Sequence, residues 1–216
     1  HVVIDIPVGP TAKVRSPEAA ESLAARLVEV GRHFGLTVIC IQTDGSQPVG
    51  RGIGPALEAR DVLAVLRNEP DAPVDLRARA LAIAGAVLEV GGAARPGEGP
   101  AKARQTLDDG SAWRKFSRIC EAQGGMRIPG TAAHVCPVPA DRSGRVSMID
   151  NRRLARVAKL AGAPLSAVSG VRLLVRTGET VVRGQALFEI HAAVDGELEY
   201  ALEFLFRSGE VFRIES

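Results

Sequence analysis

Two short apolar runs on either side of a helix pattern constrain the fold of this chain most. Residues 2–6 and residues 36–41 are rich in β-branched side chains, as buried strands are. Between them, Ser16 and Pro17 give an N-cap hydroxyl followed by proline at the first helical position. Strand, helix and strand in this order predict a βαβ unit, and therefore a mainly parallel sheet covered by helices.

Further helix patterns follow up to residue 122. Pro55 can open one helix, Asp75 can cap the next, and Ser111 can cap a later helix that ends at residue 122. A glycine- and proline-rich stretch, residues 91–100, separates the second of these helices from the third.

The pattern changes near residue 134, where short alternating strands surround one central helix. We therefore predict an α/β chain with a partial, mainly parallel sheet and covering helices, followed by a small α+β, barrel-sandwich-like C-terminal domain. The predicted domains are residues 1–128 and 129–216. The chain opens directly in a strand pattern without a starting methionine, so we expect it to be a piece of a longer protein.

Composition excludes several classes of function. The formal net charge is +2, the basic residues are dispersed and aromatic residues make up 4% of the chain, so we expect no nucleic-acid partner. No apolar run reaches membrane-spanning length, so we expect no membrane association. Cys40, Cys120 and Cys136 are widely spaced, which is typical of reduced thiols in a cytoplasmic protein.

The sequence GRGIG at residues 50–54 lies between a strand pattern and a helix pattern. It matches neither the dinucleotide-binding spacing nor a P-loop. Glycines let several carbonyls or amides point at one ligand, and the nearby Glu58 and Asp61 favour a cation over a phosphate. The alternative is a tight turn that lets the helix pack close to the sheet, and spacing alone favours this alternative.

A second candidate site follows the first predicted strand. Asp5 lies inside an apolar run, where a carboxylate is costly unless it is paired or hydrogen-bonded. Ligands of α/β proteins bind at strand ends, so Asp5, Thr11 and Lys13 can face a substrate. The alternative, which we weigh equally, is that Asp5 accepts backbone hydrogen bonds and Lys13 is solvated.

The sequence TGETVVRGQALFEI at residues 177–190 has the hairpin pattern of biotinyl and lipoyl carrier domains. A carrier needs a lysine at an exposed hairpin tip. Lys159 is the only lysine after residue 128, and it lies in a helical pattern. We therefore expect the scaffold of such a domain without its carrier function.

Several long motifs resemble thymidine and pyrimidine-nucleoside phosphorylases. QPVGRGIGPALEARD (47–61) resembles their Q-P-L-G-x-x-x-G-N-A-L-E-x-x-E segment, and HVVIDIPVGPTAKV (1–14) resembles their D-x-K-V-G-S-G-A-F-M strand end. GETVVRGQALFEIHA (178–192) and ELEYALE (197–203) resemble their C-terminal domain. The segments at residues 47–61 and 1–14 are more similar to the subgroup that includes archaeal AMP phosphorylase and bacterial thymidine phosphorylases.

The resemblance implies a pentosyltransferase that is a homodimer or higher homo-oligomer. Such enzymes transfer the pentosyl group of a nucleoside or nucleotide to phosphate and release the free base, with phosphate as co-substrate and no cofactor apart from a possible potassium ion. The family's phosphate-binding and base-binding segments precede the matched region, so the resemblance implies no catalytic residue in this chain. We expect the chain alone to be inactive; the alternative is a non-catalytic binding or assembly module on the same fold.

Some members of the family bind a potassium ion through two loop carbonyls and a carboxylate. The matching positions here are Val49, Gly52 and Asp61, where Asp61 replaces a glutamate. Lys13 stands where nucleoside-specific members carry a phenylalanine near the base. The resemblance therefore implies that Lys13 can meet the 5′-phosphate of a nucleotide.

Overall fold

The computed structural model describes residues 1–215, which form two compact units. The first unit comprises His1–Gly45 and Leu63–Arg127. The second comprises Ser46–Val62 and the described residues from Ile128 onward. The GRGIG sequence at residues 50–54 therefore groups with the C-terminal residues, and the assignment of functional domains at residue 128 stays a prediction.

The first unit contains the βαβ arrangement that the sequence predicts. Strands β1 (Val2–Val8) and β2 (Val38–Asp44) pair in parallel, and helix α1 (Pro17–His33) connects them. Ser16 is the N-cap of α1, and its hydroxyl accepts a hydrogen bond from the Ala19 amide at 3.2 Å. This cap is confirmed.

Four helices follow, and three of them, α2, α3 and α5, begin within two residues of the starts that the sequence predicts. They are α2 (Pro55–Leu66), α3 (Val74–Val90), α4 (Gly99–Asp108) and α5 (Ser111–Ala122). The core of the first unit is small and contains Val65, Leu81, Ala103 and Leu107.

Two predicted helix caps are wrong. The N-cap of α3 is Pro73, whose extended backbone starts the helix one residue before Asp75. The N-cap of α5 is Gly110 in the left-handed conformation, and the Ser111 amide instead donates to Asp109 Oδ1 at 2.7 Å. In both places a neighbour with a special backbone conformation fixes the helix start.

The second unit contains two antiparallel sheets, residues 55–62 of α2 and two further helices. One sheet has the strand order β3 (Gly52–Ile53), β6 (Gly170–Leu173), β8 (Ala186–Ala192) and β4 (His134–Pro139). The other has the order β7 (Thr180–Val181), β5 (Gly144–Ile149) and β9 (Phe212–Glu215). The two further helices are α6 (Asn151–Leu160) and α7 (Asp195–Ser208).

The core of the second unit is the larger one. Phe188 is buried and stacks on Phe212 with ring centroids 5.5 Å apart. Around this pair lie further fully buried side chains, which include Ile149, Leu154, Leu173 and Ile190.

The mixed α and β composition is confirmed, whereas the mainly parallel sheet predicted for the first part of the chain stays a prediction beyond the one pair β1 and β2. Among the described strands, β1 and β2 form a parallel ladder, whereas the ladders of the second unit are antiparallel. The barrel-sandwich-like arrangement stays a prediction. Within residues 1–215, no helix combines the length and apolar character needed to cross a membrane.

Candidate functional site

Asp5 lies at the centre of a side-chain network in the first unit. Its Oδ1 accepts a hydrogen bond from the Thr43 hydroxyl at 2.6 Å, and its Oδ2 lies 3.5 Å from Arg79 Nη1. Arg79 also donates to the carbonyl oxygen of Asp44. The side chains of Arg79 and Asp5 are 17% and 23% exposed, so the ion pair is largely shielded from water. Asp5 therefore connects β1, β2 and α3, and its role toward a substrate stays a prediction.

Thr11 and Lys13 lie in a turn that closes on itself after β1. The Gly9 amide donates to the Val14 carbonyl at 3.1 Å, and the Ala12 amide donates to the Gly9 carbonyl at 3.1 Å. Thr11 is half-buried in this turn, whereas Lys13 is exposed. The turn therefore presents the Lys13 side chain to solvent, and the substrate roles of both residues stay predictions.

The glycines of the Gly-rich loop, residues 46–54, allow close backbone approach. A Cβ on Gly52 would lie 2.4 Å from the Leu57 carbonyl carbon. A Cβ on Gly54 would lie 2.3 Å from the Ser169 carbonyl oxygen, and Gly54 has a φ of +128°. The loop thus packs against the start of α2 and against the segment before β6, as in the tight-turn alternative.

Two carboxylates on α2 face the amides of this loop. Asp61 Oδ2 accepts hydrogen bonds from the Arg51 amide at 2.6 Å and the Gly52 amide at 2.8 Å. Glu58 Oε1 accepts one from the Gly54 amide at 2.9 Å. Both carboxylates therefore neutralise the positive ends of backbone dipoles in the loop.

The carbonyl side of the loop faces protein donors. Arg176 Nη1 donates to the Gly50 carbonyl at 2.6 Å, and the Leu173 amide donates to the Arg51 carbonyl at 2.8 Å. The Thr177 amide donates to Gln47 Oε1 at 3.0 Å. Leu173, at the end of β6, and the residues up to Thr177 therefore run beside the loop and donate hydrogen bonds to it.

A potassium ion needs oxygen lone pairs that converge on one point, and several oxygens in and beside this loop already accept hydrogen bonds from the chain. One of the two oxygens of the Asp61 carboxylate, Oδ2, already accepts two amide hydrogens. The guanidinium of Arg176 brings a permanent positive charge to the residue next to Val49. The potassium site at Val49, Gly52 and Asp61 stays a prediction from the resemblance.

A polar cluster lies on the sheet of the second unit. His191 is 8% exposed, and its Nε2 lies 3.4 Å from Glu189 Oε2, which also pairs with Arg172 at 3.6 Å. Burial holds the pKa of His191 below its ordinary value; the charges of Arg60 and Arg172 act in the same direction and Glu189 opposes them. Within residues 1–215, no group of three or more His, Cys, Asp or Glu side chains is arranged to hold a metal ion.

The structure also locates the lysine and the thiols that the sequence singled out. Lys159 lies on the exposed side of α6, in a helix as predicted. The thiols of Cys40, Cys120 and Cys136 are free, and burial raises the pKa of the Cys40 thiol.

Sequence patterns gave no indication of Arg79 and Arg176. Arg79 is one of several charged residues in a helix pattern, and Arg176 contacts a carbonyl 126 positions away along the chain. A pairing over such a distance leaves no local spacing, so no sequence signal could have identified either residue.

Comparisons with known proteins agree with the resemblance that the motifs indicate. No family model matches the chain. Over 216 residues, the whole of this chain, it is 61% identical to a protein of Chelativorans sp. (strain BNC1) named "Putative thymidine phosphorylase", of which it covers 42%. Proteins of the same name from Parvibaculum lavamentivorans and Tolumonas auensis are 59% and 58% identical, and the chain covers 43% of each.

The chain thus spans less than half the length of the curated relatives it matches. It is a strong homologue of part of these proteins, which agrees with the prediction that it is the C-terminal part of a thymidine phosphorylase-type protein.

Proposed function

We propose that this chain is part of a nucleoside or nucleotide phosphorylase. The full protein transfers the pentosyl group of a pyrimidine nucleoside such as thymidine, or of a nucleoside monophosphate, to inorganic phosphate and releases the free base. The observation that carries this proposal is the 61% identity over the whole chain to a protein with a thymidine phosphorylase name. We further propose that the full protein is a homodimer or higher homo-oligomer.

The chain's own part in this reaction is to supply a substrate-facing turn. Lys13 is exposed on the closed turn after β1, and its ammonium group is a compact charge that suits a phosphate. In our proposal Lys13 contacts the 5′-phosphate of a nucleotide, while Thr11 and Asp5 hold the turn and the strand end. The residues that contact the reacting atoms lie outside this chain, so the chain alone is inactive.

The experiment is phosphorolysis of thymidine, uridine, AMP and CMP by this chain and by the full-length protein, side by side. We expect release of free base by the full-length protein alone. Activity of the chain by itself would contradict the placement of the chemistry outside it. Inactivity of both with all four substrates would favour a binding or assembly role.

The role of Lys13 has a separate test in the full-length enzyme. Lys13→Phe should lower kcat/KM for AMP relative to thymidine, since a phenyl ring cannot pair with a phosphate. The loss of a charge-assisted contact predicts a change in this ratio of about tenfold or more. Lys102→Phe, on the exposed side of α4, is the matched control, and an unchanged AMP-to-thymidine ratio in Lys13→Phe would remove Lys13 from the proposal.

A further inference from the structure

The Gly-rich loop, residues 46–54, is held on two sides by groups of opposite charge. On its amide side Asp61 Oδ2 accepts the N–H groups of Arg51 and Gly52 at 2.6 and 2.8 Å. On its carbonyl side Arg176 Nη1 donates to the Gly50 oxygen at 2.6 Å. Hydrogen bonds in which one partner is ionised are shorter and stronger than neutral ones, and all three contacts join an ionised side chain to the backbone of the loop.

The backbone around Arg176 is fixed to the same loop. The Leu173 amide donates to the Arg51 carbonyl at 2.8 Å, and β6 pairs with β3 through the register Gly52 to Arg172. The Thr177 amide donates to Gln47 Oε1 at 3.0 Å. The guanidinium of Arg176 therefore reaches the loop from a backbone segment that is hydrogen-bonded to the loop on both sides of Arg176.

A cation bound in such a loop would interact with the negative ends of the carbonyl dipoles and would offset the charge of a carboxylate. Here the Arg176 guanidinium donates to the Gly50 carbonyl, and the amides of Arg51 and Gly52 donate to the Asp61 carboxylate. A second positive charge beside this loop would be repelled by the guanidinium, and the effect is large where water is partly excluded. The electrostatic need that an ion would satisfy is already met by the chain.

We propose that Arg176 is the built-in cation of the Gly-rich loop, so that Arg176 and Asp61 close the loop without a potassium ion. This departs from the ion-binding loop that the family resemblance implies. It does not rest on the proposed phosphorylase function, because it concerns the folded loop of this chain alone. The guanidinium of Arg176 stays charged at any pH at which the protein is folded, so its contact with the Gly50 carbonyl does not depend on the cation of the salt.

The first test is the thermal unfolding of this chain in potassium, sodium and choline chloride at equal ionic strength. A ligand that binds the folded state raises stability with its concentration. We expect the same unfolding midpoint in potassium and in choline over the whole concentration series. A potassium-specific rise of the midpoint, absent with sodium and choline, would overturn the proposal.

The second test is hydrogen–deuterium exchange of peptides that cover residues 46–54, in wild type and in Arg176→Met. Methionine keeps much of the side-chain length and removes the charge. We expect exchange in this loop to become at least about tenfold faster, the factor expected from loss of one charge-assisted hydrogen bond. Unchanged exchange in Arg176→Met would contradict the clamp.

Arg172→Met is the matched control. Arg172 lies in β6 four residues earlier, and its side chain pairs with Glu189 rather than with the loop. Exchange at residues 46–54 should stay within about twofold of wild type in this variant. If Arg176→Met does not fold, Arg176→Lys provides the same comparison, and we expect it to exchange faster than wild type because an ammonium lacks the planar fork of donors.

Discussion

Asp5 shows how one polar residue in an apolar strand can be structural. A buried carboxylate is costly unless it is paired, and Asp5 has a hydroxyl partner on β2 and a guanidinium partner on α3. The sequence indicated that Asp5 needed partners. It could not name Thr43 and Arg79, because both are brought to Asp5 by folding over 38 and 74 positions of the chain.

Replacing Asp5 by alanine should destabilise the first unit. The substitution leaves Arg79, which is 17% exposed, without its carboxylate, and leaves Thr43 without its acceptor. We expect the free energy of unfolding to fall by about 2–3 kcal/mol in urea titrations. The exposed Asp71→Ala is the control, with a change within about 0.5 kcal/mol. Equal stability of the two variants would contradict the network.

His191 makes a residue-scale prediction about pH. Because burial lowers its pKa in the folded state, the unfolded chain binds more protons below the ordinary histidine pKa of about 6.5. Stability therefore falls as the pH drops through about 6.5, and His191→Gln should reduce this slope between about pH 7 and pH 5. The measurement is the urea midpoint as a function of pH. A slope identical to wild type would show that His191 carries no such linkage.

The crossing of α3 and α4 is decided by two glycines. A Cβ on Gly85 would lie 2.7 Å from the Pro100 nitrogen, and a Cβ on Gly99 would lie 2.2 Å from the Gly85 carbonyl oxygen. Glu89 Oε1 accepts hydrogen bonds from the Gly97 and Gly99 amides at 3.0 and 2.8 Å, so the start of α4 is held by a side chain of α3. In the sequence these glycines indicate only flexibility or a weak helix.

Gly85→Ala should therefore destabilise the chain, although alanine is the better helix former by about 1 kcal/mol. The added methyl group meets backbone atoms that cannot move without separating the two helices. We expect a lower unfolding temperature by calorimetry. Gly196→Ala in α7 is the control, since no atom lies within 4 Å of its added Cβ, and its unfolding temperature should stay equal or rise. A rise in Gly85→Ala as well would show that the crossing tolerates the methyl group.

Long elements were predictable from the sequence and the shortest were not. The helix of the βαβ unit, its Ser16 cap and both flanking strands follow from local chemistry, and all are present. Strands β3 and β7 have two residues each, and no periodicity can identify so short a run. They exist because a partner strand, β6 or β5, lies beside them.

On the scale of the whole molecule, the two compact units differ in the size of their cores. The described core of the first unit has Val65, Leu81, Ala103 and Leu107 at its centre. That of the second unit draws buried side chains from two sheets and two helices, and it includes the stacked Phe188 and Phe212. Since stability follows the apolar area buried, we expect the second unit to be the more stable.

The single tryptophan makes this difference measurable. Trp113 lies on α5 in the first unit, where Arg67 stacks over its ring at 4.6 Å. The fluorescence of Trp113 should change at a lower urea concentration than the exchange protection of β8 in the second unit. Coincident transitions by the two probes would show instead that the units unfold together.

The sequence by itself determined most of the longer elements, the mixed α and β composition and the resemblance to thymidine phosphorylase-type proteins, because these depend on neighbouring residues and on ordered motifs. The tertiary structure decided the antiparallel pairing of the second unit, the grouping of the Gly-rich loop with it, and the partners of Asp5 and Asp61. The contact of Arg176 with Gly50 was also decided by the tertiary structure, since it joins residues far apart in the chain. Local propensity cannot encode such contacts; they arise only when burial and strand pairing bring distant backbone groups within hydrogen-bond distance.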